Sequence, residues 1–311
     1  MIIAEKATKK FDAITAINEI SCKIPVGCIY GMVGSNGAGK STFLRLITGI
    51  YQADGGVVTV NGQSVFDNPS VKKTITFVPD ELYFLGGASM NRMAKLYASV
   101  YETFDYNRFY ELTSIFRLDP KRNIGTFSKG MKRQAAIILC LSCRTQYIFF
   151  DETFDGLDPV MRNLVKNIIC EDVLERSATA IITSHSLREL EDTCDQLALL
   201  HRGGIVFESD IENIKTSLFK IQCAFSYEYD KELFDGIDIL NFSKRGSVCN
   251  MIVRGDRDKT TEAIKALFPT LLDVLPLSLE EVFIYEMEVL GYSFNDIFDG
   301  FPAAAEGETS K

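Results

Sequence analysis

No apolar run in this sequence approaches the ~20 residues that a membrane-spanning helix needs. The longest, Ala135 to Leu141, suits only a buried helix. The N-terminus, Met1-Ile2-Ile3-Ala4-Glu5-Lys6, has neither the basic start nor the long apolar stretch of a signal peptide. These absences predict a cytoplasmic chain that cannot itself form a membrane pathway. Long basic runs are missing too. With a net charge of −9 and a pI of about 5.0, sequence-independent nucleic-acid binding is not expected. The eight cysteines are scattered. The lone C-x-x-C, Cys140 and Cys143, has no second pair and no histidine cluster to complete a zinc site. Both are expected as packed thiols near the end of a buried helix. Histidine is limited to His185 and His201, and no internal repeat is present.

What is present is the composition of a globular protein with a sizeable core: 311 residues, 46% hydrophobic and 24% charged. Ile2 to Thr8, Ile20 to Ile24 and Val57 to Val60 read as an antiparallel sheet with Asn61-Gly62 as a turn. Ile29 to Val33, Ile75 to Val78, Tyr147 to Phe150, Ala178 to Thr183 and Leu197 to Leu200 are short apolar runs suited to a parallel sheet buried on both faces. Helical stretches between them indicate an α/β core. Met90 to Tyr101 and Tyr106 to Phe116 carry helical periodicity without strands. They begin a helical subdomain over about 88–143, inserted in a first domain of residues 1–215. A small α+β domain is expected over 216–290. It has strands at Phe219 to Tyr227, Ile237 to Phe242 and Val248 to Val253, and helices at Lys259 to Phe268 and Ser278 to Leu290. Residues 291–311 are expected as a disordered tail.

The chemistry concentrates in a few motifs. Gly34-Ser35-Asn36-Gly37-Ala38-Gly39-Lys40-Ser41 fits the phosphate-binding loop pattern. A nucleoside triphosphate is a dense anion, so successive backbone N–H groups must converge on its oxygens. Gly34, Gly37 and Gly39 supply the dihedrals and the close approach. Lys40 would neutralise the β- and γ-phosphates, and the Ser41 hydroxyl would ligate magnesium. The preceding strand ends at Val33. The helix that follows, through Thr42 and Phe43, points its N-terminus at the phosphates. Tyr147-Ile148-Phe149-Phe150-Asp151-Glu152 is an apolar strand ending in two acids. Buried carboxylates are costly unless paired or metal-bound. Asp151 is therefore assigned to the magnesium shell and Glu152 to polarising an attacking water. Phe127-Ser128-Lys129-Gly130-Met131 opens a helix, with Ser128 as cap and Gly130 leaving the first turn open to a phosphate. Lys129 to Cys143 then spans ~22 Å, back to the start of the Asp151 strand. His185 ends a core strand, where ligands bind in open α/β sheets, and would reach a γ-phosphate. His201 is expected as a polar surface residue.

Phosphate loop, Ser128 signature, Asp151-Glu152, Gly156-Leu157-Asp158 and His185 occur in an order and spacing that resemble the ATP-binding cassette (ABC) ATPases. The resemblance covers residues 1 to about 215. It implies an α/β P-loop ATPase core with an antiparallel β subdomain and a helical insertion. It also implies ATP with Mg2+, and a composite site made by two nucleotide domains docked head-to-tail. Ser128 and Gly130 of one domain would contact ATP held by residues 34–42 of the other, and Asp158 would lie across that interface. Phe11 matches the aromatic that stacks on adenine, an ordinary core phenylalanine being the alternative. The signature is usually Leu-Ser-Gly-Gly-Gln. The Ser-Lys-Gly-Met form here resembles that of bacterial drug- and antibiotic-type exporters. Asp80 stands where the family usually has glutamine. It is assigned to the catalytic group with Glu152 and His185, because an aspartate can meet magnesium through water. Leu277-Ser278-Leu279-Glu280-Glu281-Val282-Phe283 is similar to the motif closing the accessory region of type-2 exporter ATPases.

The resemblance implies the ATP-hydrolysing subunit of a bacterial transporter, an exporter in type. It would be dimeric or paired with a second nucleotide domain, and held at the inner membrane face by a separate permease. Residues 81–101, with Leu82, Tyr83, Phe84 and Leu85, would pass motion to that permease. The alternatives are a non-transport soluble ABC ATPase and a regulatory ATP-binding module.

Overall fold

β1 (Ile2–Phe11) and β2 (Ile14–Ile24) open the chain as an antiparallel pair. With β4 (Gly55–Val60) and β5 (Gln63–Ser64) they form a sheet ordered β2-β1-β4-β5. Asn61 and Gly62 take φ of 51° and 75° between β4 and β5, the left-handed pair that a two-residue hairpin requires. The computed structural model describes residues 1–211 and 218–289. The expected tail over 291–311 lies outside them. Backbone contacts divide the chain into Met1–Glu208 and Ser209–Lys311.

The first unit is built around β3 (Ile29–Val33), β6 (Ile75–Val78), β7 (Tyr147–Asp151), β8 (Thr179–Ser184), β9 (Gln196–His201) and β10 (Gly204–Asp210). They lie in the order β10-β9-β3-β8-β7-β6. Pairing is parallel between β3 and both β8 and β9, and among β6, β7 and β8. Every residue of β3, β7 and β8 is buried, which explains their unbroken apolar sequences. Register sets the function: Val33 lies beside Ser184, and Asp151 beside Thr183. The loops after β3, β7 and β8 therefore leave the sheet at one edge. His201, expected at the surface, is buried at 7% exposure. It extends the Leu197–Leu200 run by one residue within a covered strand.

α1 (Lys40–Ile47), α2 (Pro69–Lys72), α3 (Met90–Val100), α4 (Tyr106–Ile115), α5 (Lys129–Ser142), α6 (Pro159–Arg176) and α7 (Leu187–Glu191) complete this unit. Ser89, Asp105 and Ser128 cap α3, α4 and α5 through side-chain oxygens. α5 is buried from Arg133 to Ser142, so its far end is apolar all round. Cys140 and Cys143 are buried thiols, and burial pushes the Cys140 thiol up to about 12. None of the described helices is long and apolar enough to cross a membrane.

In the second unit, β12 (Asp238–Arg245), β13 (Val248–Arg254), β11 (Leu218–Ala224) and β14 (Leu271–Pro276) form an antiparallel sheet in that order. Phe219, Ile221, Cys223, Met251 and Val253 pack with Ile264 of α8 (Arg257–Lys265). α9 (Leu279–Val289) closes the described chain. β11 stops at Ala224 rather than Tyr227, and Phe225, Tyr229 and Phe234 form an aromatic cluster after it. β14 carries no sequence expectation. Its Asp273 and Pro276 are weak strand formers tolerated at a sheet edge.

Candidate functional site

The loop after β3 wraps tightly before α1. Gly37 and Gly39 adopt φ of 83° and 108°, the left-handed region that disfavours side chains. Gly34 is needed for a different reason: a Cβ there would come within 2.4 Å of the Leu200 carbonyl oxygen. Ala38 N–H donates to the Ser35 carbonyl at 3.1 Å, closing the turn, while Asn36 lies exposed at its tip. Gly39 caps α1 with no side-chain bond. The first N–H groups of α1, through Ser41 and Thr42, therefore remain available to an anion. The buried Lys40 ammonium donates to the Gly34 and Ser35 carbonyls at 2.6 and 3.2 Å, and pairs with Glu152 Oε1 at 3.0 Å.

At the end of β7, Asp151 is fully buried. Its Oδ1 accepts from the Ser41 hydroxyl at 3.0 Å and the Thr183 hydroxyl at 2.8 Å. Its Oδ2 is buried and has no hydrogen-bond partner among the described residues. Burial pushes the Asp151 carboxyl above its ordinary value. The Thr183 and Ser41 bonds oppose that shift, and the Glu152 charge adds to it. A buried carboxylate oxygen without a donor, beside a serine hydroxyl, fits a divalent cation.

Glu152 adopts φ of 44°, a left-handed conformation uncommon outside glycine. Its N–H donates to Thr183 Oγ1 at 3.0 Å, and Oε2 accepts from the His185 N–H at 3.2 Å. The His185 ring Nδ1 lies 3.1 Å from the same oxygen and 3.7 Å from Asp155 Oδ2. Burial raises the Asp155 carboxyl while His185 draws it down. Lys40, Ser41, Asp151, Glu152 and His185 thus form one connected group. Thr183 and Asp155 belong to it and were not read from sequence, since a single Thr in a strand or Asp in a loop carries no spacing signal.

Ser128, Gly130 and Asp158 form a second group. Ser128 Oγ accepts from the Met131 N–H at 3.2 Å. A Cβ on Gly130 would approach the Gly156 carbonyl oxygen to 3.1 Å. Asp158 Oδ1 caps α6, accepting from Val160 and Met161 at 3.1 and 3.0 Å. Among the described residues, no hydrogen bond or ion pair joins these three to residues 34–42. Phe11 ends β1 at 39% exposure, edge-on to Tyr51 at 5.3 Å. Asp80 follows β6, and its carboxylate pairs with Arg133 at 2.9 Å rather than with the first group. Arg133 was not anticipated: a charged residue on the buried side of α5 names no partner by itself.

The sequence profile of a family described as ABC transporter matches residues 17–155. The ABC transporter ATP-binding protein YtrB of Bacillus subtilis is 28% identical over 284 residues, covering 91% of this chain and 97% of that protein. The linearmycin resistance ATP-binding protein LnrL of the same species is 31% identical over 219 residues, covering 66% of this chain and 68% of its own length. Among solved structures, a dimeric ATP-binding cassette in a post-hydrolysis state with ADP and Pi superposes with a TM-score of 0.62. It is 18% identical and covers 68% of this chain and 99% of its own, a likeness of fold.

Proposed function

This chain belongs to the ABC transporter family of ATP-binding proteins, and from that premise we propose that it hydrolyses ATP to drive an exporter-type permease carried on a separate chain. The observation that carries the proposal is the 3.0 Å contact between Lys40 Nζ and Glu152 Oε1. It puts a phosphate-binding cation and a water-activating carboxylate at one point. An arriving triphosphate would take Lys40 from Glu152 through stronger charge-assisted bonds, freeing that carboxylate for water. Ser41 Oγ and Asp151 Oδ2 would hold Mg2+. The ion would supply positive charge beside the phosphates, where negative charge develops. Thr183 keeps Asp151 aimed, and its hydroxyl also fixes the Glu152 backbone. His185 holds Glu152 at rest and would turn to the γ-phosphate. Ser128 and Gly130 would face a partner copy and complete the site across a dimer.

A cleft of about 420 Å³ beside α3, lined in part by Ile50, Phe77, Leu96, Val100 and Tyr101, supports a permease contact. Ile50, Leu96 and Val100 are 51, 41 and 50% exposed there, and Tyr83 in the preceding loop is 83% exposed. Such apolar side chains suit burial against an amphipathic helix. Through the permease the chain would sit at the inner face of the membrane. The test is affinity capture from detergent-solubilised membranes beside an ATP-binding assay. A polytopic membrane protein should co-purify, and Tyr83→Glu or Val100→Asp should lose it while ATP binding persists. Failure of the unaltered chain to retain any membrane protein would contradict the transporter reading.

A further inference from the structure

Arg133 spends its guanidinium on one short loop. It is 2% exposed and lies in the second turn of α5, the helix that Ser128 begins. One terminal nitrogen donates to the Pro79 and Asp80 carbonyls at 3.0 and 2.9 Å, and the other to Asp80 Oδ1 at 2.9 Å. Pro79 and Asp80 directly follow β6, which is paired to β7 up to Phe150, the residue before Asp151. The contacts therefore run from the metal-side strands, through the loop at 79–80, into the helix whose first turn holds Gly130.

Two features separate this arrangement from a chance surface pair. A guanidinium this buried needs its charge answered, and among the described residues only Asp80 is ion-paired to it. Burial is the main cause that raises the Asp155 carboxyl beside His185, and the nearby Asp80 charge adds a smaller push. Pairing with Arg133 offsets part of the negative charge that Asp80 brings near the arriving phosphates.

We propose that Asp80 is a positioning residue that acts through Arg133, holding α5 and its Ser128–Gly130 turn to the end of β6, instead of reaching Mg2+. The proposal rests on the ATPase reading for its consequence in turnover, but the structural tie can be tested without nucleotide.

The experiment uses the full chain with Asp80→Asn, Arg133→Gln and the double variant. Amide hydrogen exchange of the nucleotide-free protein is followed at residues 81–89 and 129–133. Steady-state hydrolysis is measured against ATP and against Mg2+. Loss of a charge-assisted bond should speed exchange in both segments roughly 10-fold. The double variant should be no worse than the more severe single one, the signature of shared contact. kcat should fall, while KM for ATP and the half-saturating Mg2+ concentration stay within about twofold. Unchanged exchange, with a several-fold rise in half-saturating Mg2+ for Asp80→Asn, would place Asp80 on the metal and overturn the proposal; so would fully additive exchange effects. Because Asp80 is 57% exposed, Asp80→Asn keeps the test decisive if Arg133→Gln fails to fold. A chain without hydrolysis but with the expected exchange pattern would retire the ATPase reading and keep the tie.

Discussion

His185 meets one carboxylate oxygen of Glu152 twice, through its backbone N–H at 3.2 Å and its ring Nδ1 at 3.1 Å. The other oxygen of Glu152 is held by Lys40. The backbone bond keeps the loop after β8 against the acid, and the ring is free to leave. If the ring then donates to the γ-phosphate, His185→Ala should lower kcat by about 10²-fold, the usual cost of one lost donor to a developing charge. ATP affinity should change little. Rapid-quench turnover with equilibrium nucleotide binding separates the two; equal losses in both would assign His185 to binding alone.

Lys40 has three partners now and would exchange one of them for phosphate. Among the described residues Lys40→Ala removes the only ammonium bonded within the loop, and ATP affinity should weaken roughly 10- to 100-fold. Unaltered affinity by calorimetry would remove residues 34–41 from the nucleotide site.

Asp151 carries a pH signature. Its folded carboxyl titrates above the unfolded one, burial being the main cause. For an acid raised in this way, ionisation penalises the native state. The penalty is absent below the ordinary carboxylate value of about 4 and complete above the folded value. Asp151→Asn should therefore raise the unfolding midpoint of the nucleotide-free chain at pH 7. The gap should shrink as pH falls below the raised folded value and vanish below the ordinary carboxylate value. The same variant should lose Mg2+-dependent ATP binding. A midpoint below wild type at neutral pH would mean that the charge stabilises the site.

Much of this arrangement was legible in the sequence because it depends on local rules. Glycine spacing at residues 34–39 dictates a turn, and the buried strands Ile29–Val33 and Tyr147–Asp151 announce themselves by unbroken apolar runs. Contacts between distant residues were not legible. Arg133 and Asp80 are 53 residues apart, and no periodicity connects them. Thr183 serves Asp151 and Glu152 only because β7 and β8 pair in one register. His201 misled because a lone polar residue at the end of an apolar run looks like an exit to solvent, yet its strand stays covered. β14 went unseen because edge strands tolerate residues that central strands exclude.

The most direct measurement follows Glu152→Gln, which keeps the side chain's shape and removes its negative charge. With ATP and Mg2+, hydrolysis should fall roughly 10²–10⁴-fold, the range for loss of a general base. Light scattering should show the variant accumulating as a dimer that retains unhydrolysed ATP. Near-normal turnover by Glu152→Gln, with no trapped dimer, would contradict the assignment of Glu152 as the residue that activates water.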